Sequence, residues 1–152
     1  MLQNGQIPIL ANVINASTAS LTGTTVGILG TDTAGVIGYT AGAYGGRVYT
    51  ALASSNYTTT AAIYAYILST AGYTLPLGTI SITLSSGNTA AARNIDLLDG
   101  TNIPGLPIDN TGKRYIPLQP NDKLKFAPVT SLINTTNKIF VSCFGADYQS
   151  IV

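Results

Sequence analysis

Between Gly78 and Leu84 the chain alternates: Ile80, Ile82 and Leu84 fall on one side, Thr79, Ser81 and Thr83 on the other. Period-two alternation of apolar and polar positions marks a half-buried strand. Residues 47–53 repeat it, with Val48, Thr50 and Leu52 opposed to Tyr49, Ala51 and Ala53. In 60–68, Ile63, Ala65 and Ile67 oppose Tyr64, Tyr66 and Leu68. Both sides are apolar there, which predicts a strand covered on both faces. Residues 122–126 alternate charge and core through Lys123, Leu124, Lys125 and Phe126. Residues 138–144 form a strong final strand, with Cys143 on it as a small core hydrophobe. Residues 94–98 and 114–118 give shorter strands.

Turn signals separate these runs: the Gly-rich 41–46, Ser85-Ser86-Gly87-Asn88, Asp99-Gly100, Asp109-Asn110-Thr111-Gly112 and Gln119-Pro120-Asn121-Asp122. About eight short strands with regular turn punctuation predict an all-β sandwich or barrel. Neither a long amphipathic helix nor a repeat of fixed period is found. Residues 1–22 read as an extended N-terminal arm, and 23–152 as the β-sandwich domain. In the arm, Ile7, Ile9, Leu10, Val13 and Ile14 have little of their own to pack on, which predicts contact with a neighbouring subunit or the outside of the domain.

Composition narrows the function. Of 152 residues only 9% are charged, against roughly 25% in an ordinary soluble domain. The net charge is +1, so no dense basic patch exists to hold nucleic acid. With no His, a His-based triad, His general base and His metal site are excluded. Cys143 is the single cysteine, so no disulfide forms within the chain. Apolar runs are broken by Pro8, Asn12, Asn15 and Pro76, so no membrane helix is expected, and no basic segment of an export signal precedes them. Thr, Ser, Gly, Asn and nine Tyr stand where Lys and Glu usually do. A surface so poor in charge predicts that much of it meets other protein. The side chains proposed to do so are the five apolar arm residues with Tyr44, Tyr49, Tyr57, Tyr64 and Tyr66.

Candidate chemistry is sparse. Asp96, Asp99 and Asp109 could hold a cation, but Asp-Gly and Asp-Asn pairs are ordinary turn sequences. Arg47 suits an ion pair at a strand edge. Lys113, Arg114, Lys123 and Lys125 suit a solvated edge that blocks sheet-to-sheet pairing. No catalytic residue, cofactor or metal is expected. Tyr-rich faces leave one competing function, a carbohydrate-binding module.

Read as a whole, Arg114-Tyr115-Ile116-Pro117-Leu118 leads through Gln119-Pro120-Asn121-Asp122 into Lys123-Leu124-Lys125-Phe126, and the last strand ends in Phe144-Gly145-Ala146-Asp147-Tyr148. This resembles small structural proteins of tailed bacteriophages, whose last strand ends in Gly-Gly-Asp-Tyr or close to it. Ala146 stands where the second Gly would be. The segment Thr40 to Val48 is similar to that family's Ala-Gly-x-x-Gly-x-Arg-Ile turn. The resemblance implies a jelly-roll-like β-sandwich and a place in the virion, decorating or cementing the phage head. The implied partners are the major capsid protein or other virion proteins, in a homo-oligomer, with a trimer favoured because such cement proteins often occupy three-fold positions. A tail, neck or fibre location is the alternative. No ligand site is carried over.

Overall fold

The apolar alternation of the sequence needs two sheets to bury it, and a computed structural model shows how the chain supplies them. Residues 10–21, 35–129 and 137–149 are described. Their nine strands are β1 (Leu10–Leu21), β2 (Val36–Thr40), β3 (Gly46–Ser55), β4 (Ala61–Leu68), β5 (Thr74–Ile82), β6 (Ile95–Asp96), β7 (Ile116–Leu118), β8 (Lys123–Pro128) and β9 (Ile139–Tyr148). No described residue is helical.

Pairing is antiparallel and nested like one long hairpin. β4 pairs β5, β3 pairs both β6 and β7, β2 pairs β8, and β1 pairs β9. Successive pairs of this ribbon fall in alternate sheets. One sheet has the order β1-β9-β3-β6, with β7 also on β3; the other has β2-β8-β4-β5. The two pack face to face as a β-sandwich. Val48, Ala51, Ala53, Val141 and Cys143 from one sheet meet Tyr39, Ile63, Ile80, Ile82, Leu124 and Phe126 from the other in a single core. Alternating inward side chains of both sheets are what hold such a sandwich.

Two bulges revise the alternation read from sequence. β3 shifts register against β9 between Val48 and Thr50. The extra residue changes parity, so Val48 joins Ala51 and Ala53 in the core while Tyr49, Thr50 and Leu52 share the outer side. On β5, register shifts where Tyr66 pairs Pro76 and Ala65 pairs Gly78. Pro76 is tolerated because β5 is an edge strand. β5 therefore begins before the predicted run and ends at Ile82, leaving Leu84 exposed beyond it.

Residues 10–21 do not extend away as an arm. β1 lies along β9, and Ala19 and Leu21 are fully buried in the core. The physical reason is that β1 covers the open edge of β9 and closes the sandwich over its inner face. Leu10, Val13 and Ile14 belong to this strand; Ile7 and Ile9 lie outside the described residues. Lys123 and Lys125 are not on an edge either. β8 runs between β2 and β4, and Lys125 is only 8% exposed. Its outward face is covered where Tyr66 of β4, paired with Lys125, reaches across to Gly35.

Buried polar groups tie the turns together. The Asp122 carboxylate, itself buried, accepts from Gln119 N–H at 3.1 Å and Thr70 N–H at 3.3 Å, joining the turn before β8 to the turn after β4. Beside the 41–46 turn, Tyr39 donates to Asp147 Oδ1 at 2.9 Å, and Asn15 Nδ2 donates to Asp147 Oδ2. One carboxylate thus gathers β1, β2 and β9.

A Cβ on Gly145 would stand 2.6 Å from the Arg47 carbonyl oxygen and 2.7 Å from the Tyr39 ring. Gly145→Ala is therefore expected to destabilise the fold by about 1–3 kcal/mol, the usual range for overpacking, read as a lowered urea midpoint with unchanged slope. Burial pushes the Cys143 thiol up to about 12 from its ordinary 9.0. Because the folded value is the higher, stability from this group is whole below pH 9.0 and declines as pH rises toward 12. Urea titrations across that window should show a shallower alkaline loss in Cys143→Ala, and a thiol reagent should label Cys143 only after unfolding.

Candidate functional site

Which side chains the five-stranded sheet turns outward follows from its register. Ser20, Phe140 and Ser54 share one row; Thr18, Ser142, Leu52 and Asp96 share the next; Ala16, Phe144 and Thr50 a third; Ala146, Arg47 and Pro117 a fourth. Only Asp96 and Arg47 in these rows carry charge. Phe144 stands near the centre, 43% exposed, among small hydroxyl side chains. This pleated surface is apolar at the middle, studded with Ser and Thr, and nearly free of charge.

At one end of the face Arg47 is held by aromatic rings. Its guanidinium carbon lies 4.5 Å from the Tyr115 ring centroid and 5.6 Å from that of Tyr148, and Nε donates to the Tyr148 hydroxyl at 2.6 Å. Tyr49 also hydrogen-bonds the guanidinium and packs on Tyr115 with centroids 6.2 Å apart. Arg47 is thus a stacked cation on an interior strand, and the edge ion pair expected from sequence is not formed: β3 has β9 on one side and β6 and β7 on the other. Guanidinium suits this place because its flat faces stack and its edge still donates.

Beside the stack opens a cleft of about 340 Å³, lined by Tyr49, Asp96, Leu98, Asp99, Lys113 and Arg114 among others. Its carboxylates are set by the turns that carry them. Asp96 Oδ1 accepts from Leu98 N–H at 2.9 Å, and Asp99 Oδ1 accepts from Thr101 N–H at 2.9 Å and from its hydroxyl at 3.0 Å. These bonds from Thr101, backbone first, hold the Asp99 carboxyl below its ordinary value. Asp109 Oδ1 serves its own turn in the same way, taking the Thr111 N–H, the Thr111 hydroxyl and the Lys113 N–H. Self-satisfied Asx turns explain the spacing of these acids. Among the described residues no three metal-ligating side chains come together.

Of the ten side chains singled out in the sequence, the five tyrosines do not form one surface. Tyr44, at the tip of the 42–45 turn, is 56% exposed. Tyr49 is half-buried in the stack, and Tyr64 is half-buried on the outward side of β4. Tyr57 and Tyr66 are buried in the chain's own packing, so they offer nothing to a partner. Their rings cover the molecule's own apolar area because the charge-poor sequence has few long aliphatic stems to do it. Sequence reading missed Tyr115, Tyr148 and Phe144 as surface groups. Arg47 and Tyr49 on one predicted strand and the Tyr of 114–118 were visible signals, but the pairing of β7 with β3 was not.

The chain matches no family model, no curated protein and no solved structure. The site is therefore read from its own geometry.

Arg47→Lys keeps the charge but loses the flat stacking surface and the Nε bond. It is expected to destabilise the fold by about 1–2 kcal/mol, with the loss measured by urea denaturation. Tyr148→Phe should show only the hydrogen-bond part of that loss.

Proposed function

We propose that this chain is a structural, non-catalytic virion protein of a tailed bacteriophage that decorates or cements the head by bridging major capsid subunits. The strand order carries the reading. With β6 and β7 taken as one strand position, the nested pairs 1·9, 2·8, 3·6/7 and 4·5 over two sheets are the kind of pairing a jelly roll would have, which supports that reading. Jelly rolls serve in viral capsid and lectin domains. The step from that order to a virion is one of fold analogy. The outer face of the five-stranded sheet supports it on separate grounds. It is broad, nearly free of charge and centred on Phe144, as suits a surface that gains affinity from area repeated by symmetry. Few charges are needed on a subunit that works only within an assembly. A homo-oligomer, with three-fold symmetry preferred, fits this use, and the face rather than an N-terminal arm is its contact.

Purified particles of the virus encoding this chain provide the test. Mass spectrometry should find the chain in many copies per particle, and antibody labelling should place it on the head. Light scattering of the purified chain should give a discrete oligomer, and Phe144→Asp should reduce its mass or its uptake by particles stripped of it. Absence from the particle overturns the reading. Labelling confined to the tail replaces the head role with a tail or fibre one.

A further inference from the structure

The cleft beside the Tyr–Arg stack combines three kinds of group that no fold requirement brings together. One wall is the Tyr49 ring, fixed by Tyr115 and by its bond to Arg47. The floor carries two carboxylates that spend only Oδ1 on their turns; Oδ2 of Asp96 and of Asp99 has no hydrogen bond among the described residues. The lining also includes Lys113 and Arg114, whose side-chain nitrogens have no hydrogen bond or close ion pair among the described residues, although Arg114 lies near enough to Asp99 to act on its charge. Gly100 lets Arg114 reach this position, since a Cβ there would lie 2.5 Å from a guanidinium nitrogen.

Each group narrows the ligand. An aromatic face with open carboxylate acceptors suits a ring bearing hydroxyl groups, because each hydroxyl can donate to Oδ2 while the ring's C–H face rests on tyrosine. Two cations with open hydrogen-bond donors suit one or two negative oxygens, best a planar carboxylate facing the Arg114 fork. A polyphosphate backbone fits badly, since Asp96 and Asp99 would repel it and only two cations attract it. The cleft is large enough for one or two sugar rings. We propose that this cleft binds an acidic saccharide, with a uronic-acid ring against Tyr49, its hydroxyls on Asp96 and Asp99, and its carboxylate on Arg114 and Lys113. The inference does not depend on a place in the virion.

Isotope-labelled full chain is titrated with oligomers of galacturonate, mannuronate and glucuronate, with neutral galactose oligomers and inorganic phosphate as comparison ligands. Saturable shifts are expected at the amides of Tyr49, Asp96, Lys113 and Arg114 with at least one uronate. Neutral oligomers should bind roughly tenfold more weakly, the loss of one charge-assisted pair. Arg114→Gln should weaken the uronate by a similar factor without moving the melting temperature, because that side chain is exposed. Tyr49→Leu should weaken uronate and neutral oligomer alike; if it fails to fold, Asp96→Asn reads the hydroxyl contact instead. No saturable binding by any uronate overturns the proposal. So does uronate binding that survives Arg114→Gln, or phosphate binding as tight as that of the uronates, which would leave a bare anion site.

Discussion

Tyr39 reaches from the four-stranded sheet through the core to the opposite sheet, and the fold is arranged around that reach. Its ring occupies the space a side chain at residue 145 would need, and its hydroxyl ends on Asp147. Burial, and then that bond, raise its pKa well above the ordinary tyrosine value, so the hydroxyl stays a donor at any physiological pH. Asn15 completes the same carboxylate from β1. Three strands are therefore fixed relative to one another by one buried phenol. Gly145 is the condition for it, and the Arg47 carbonyl that also crowds Gly145 sets the distance between β3 and β9.

Charge scarcity has two structural outcomes. Inside the outer layer, aromatic rings take over covering tasks, as Tyr66 does beside Lys125 and Tyr115 does for Arg47. On the open face of the larger sheet, nothing takes over, and Phe144 is left among hydroxyls. Four charged side chains, Asp96, Asp99, Lys113 and Arg114, share the cleft at one end. Polar chemistry and flat contact area are thus segregated on one molecule.

Strand positions were largely legible because alternation is a local property. Ile80 and Ile82, Leu124 and Phe126, and Val141 and Cys143 all face the core, as their spacing indicates. What alternation cannot carry is a change of parity. The bulge at Tyr49 moved that ring to the outside and so created the stack, and nothing in Val48-Tyr49-Thr50 announces an extra residue. Edge status was equally hidden. Lys123 and Lys125 look like edge guards, yet β8 lies between two neighbours, because a strand's flanks are chosen by distant segments. The pairing of residues 10–21 was hidden for the same reason: β1 is short of local partners, and its partner is β9, more than a hundred residues away. The cleft's charged members were noted singly as turn or edge residues and Tyr49 as a contact residue, and the β3–β6 and β3–β7 pairings bring them to one place.

Nesting also sets an order in time. β4 and β5 can pair as soon as both have left the ribosome, since a short turn joins them. Each outer pair must wait for a later segment, and Leu21 meets Ile139 only when nearly the whole chain has been made. Closure of such distant ends is slow compared with local hairpin formation. Until β9 arrives, β3 lacks its neighbour on that side and β1 has nowhere to lie. During synthesis the larger sheet is thus an unfinished template with bare edges, and a second nascent copy nearby could supply the missing strand.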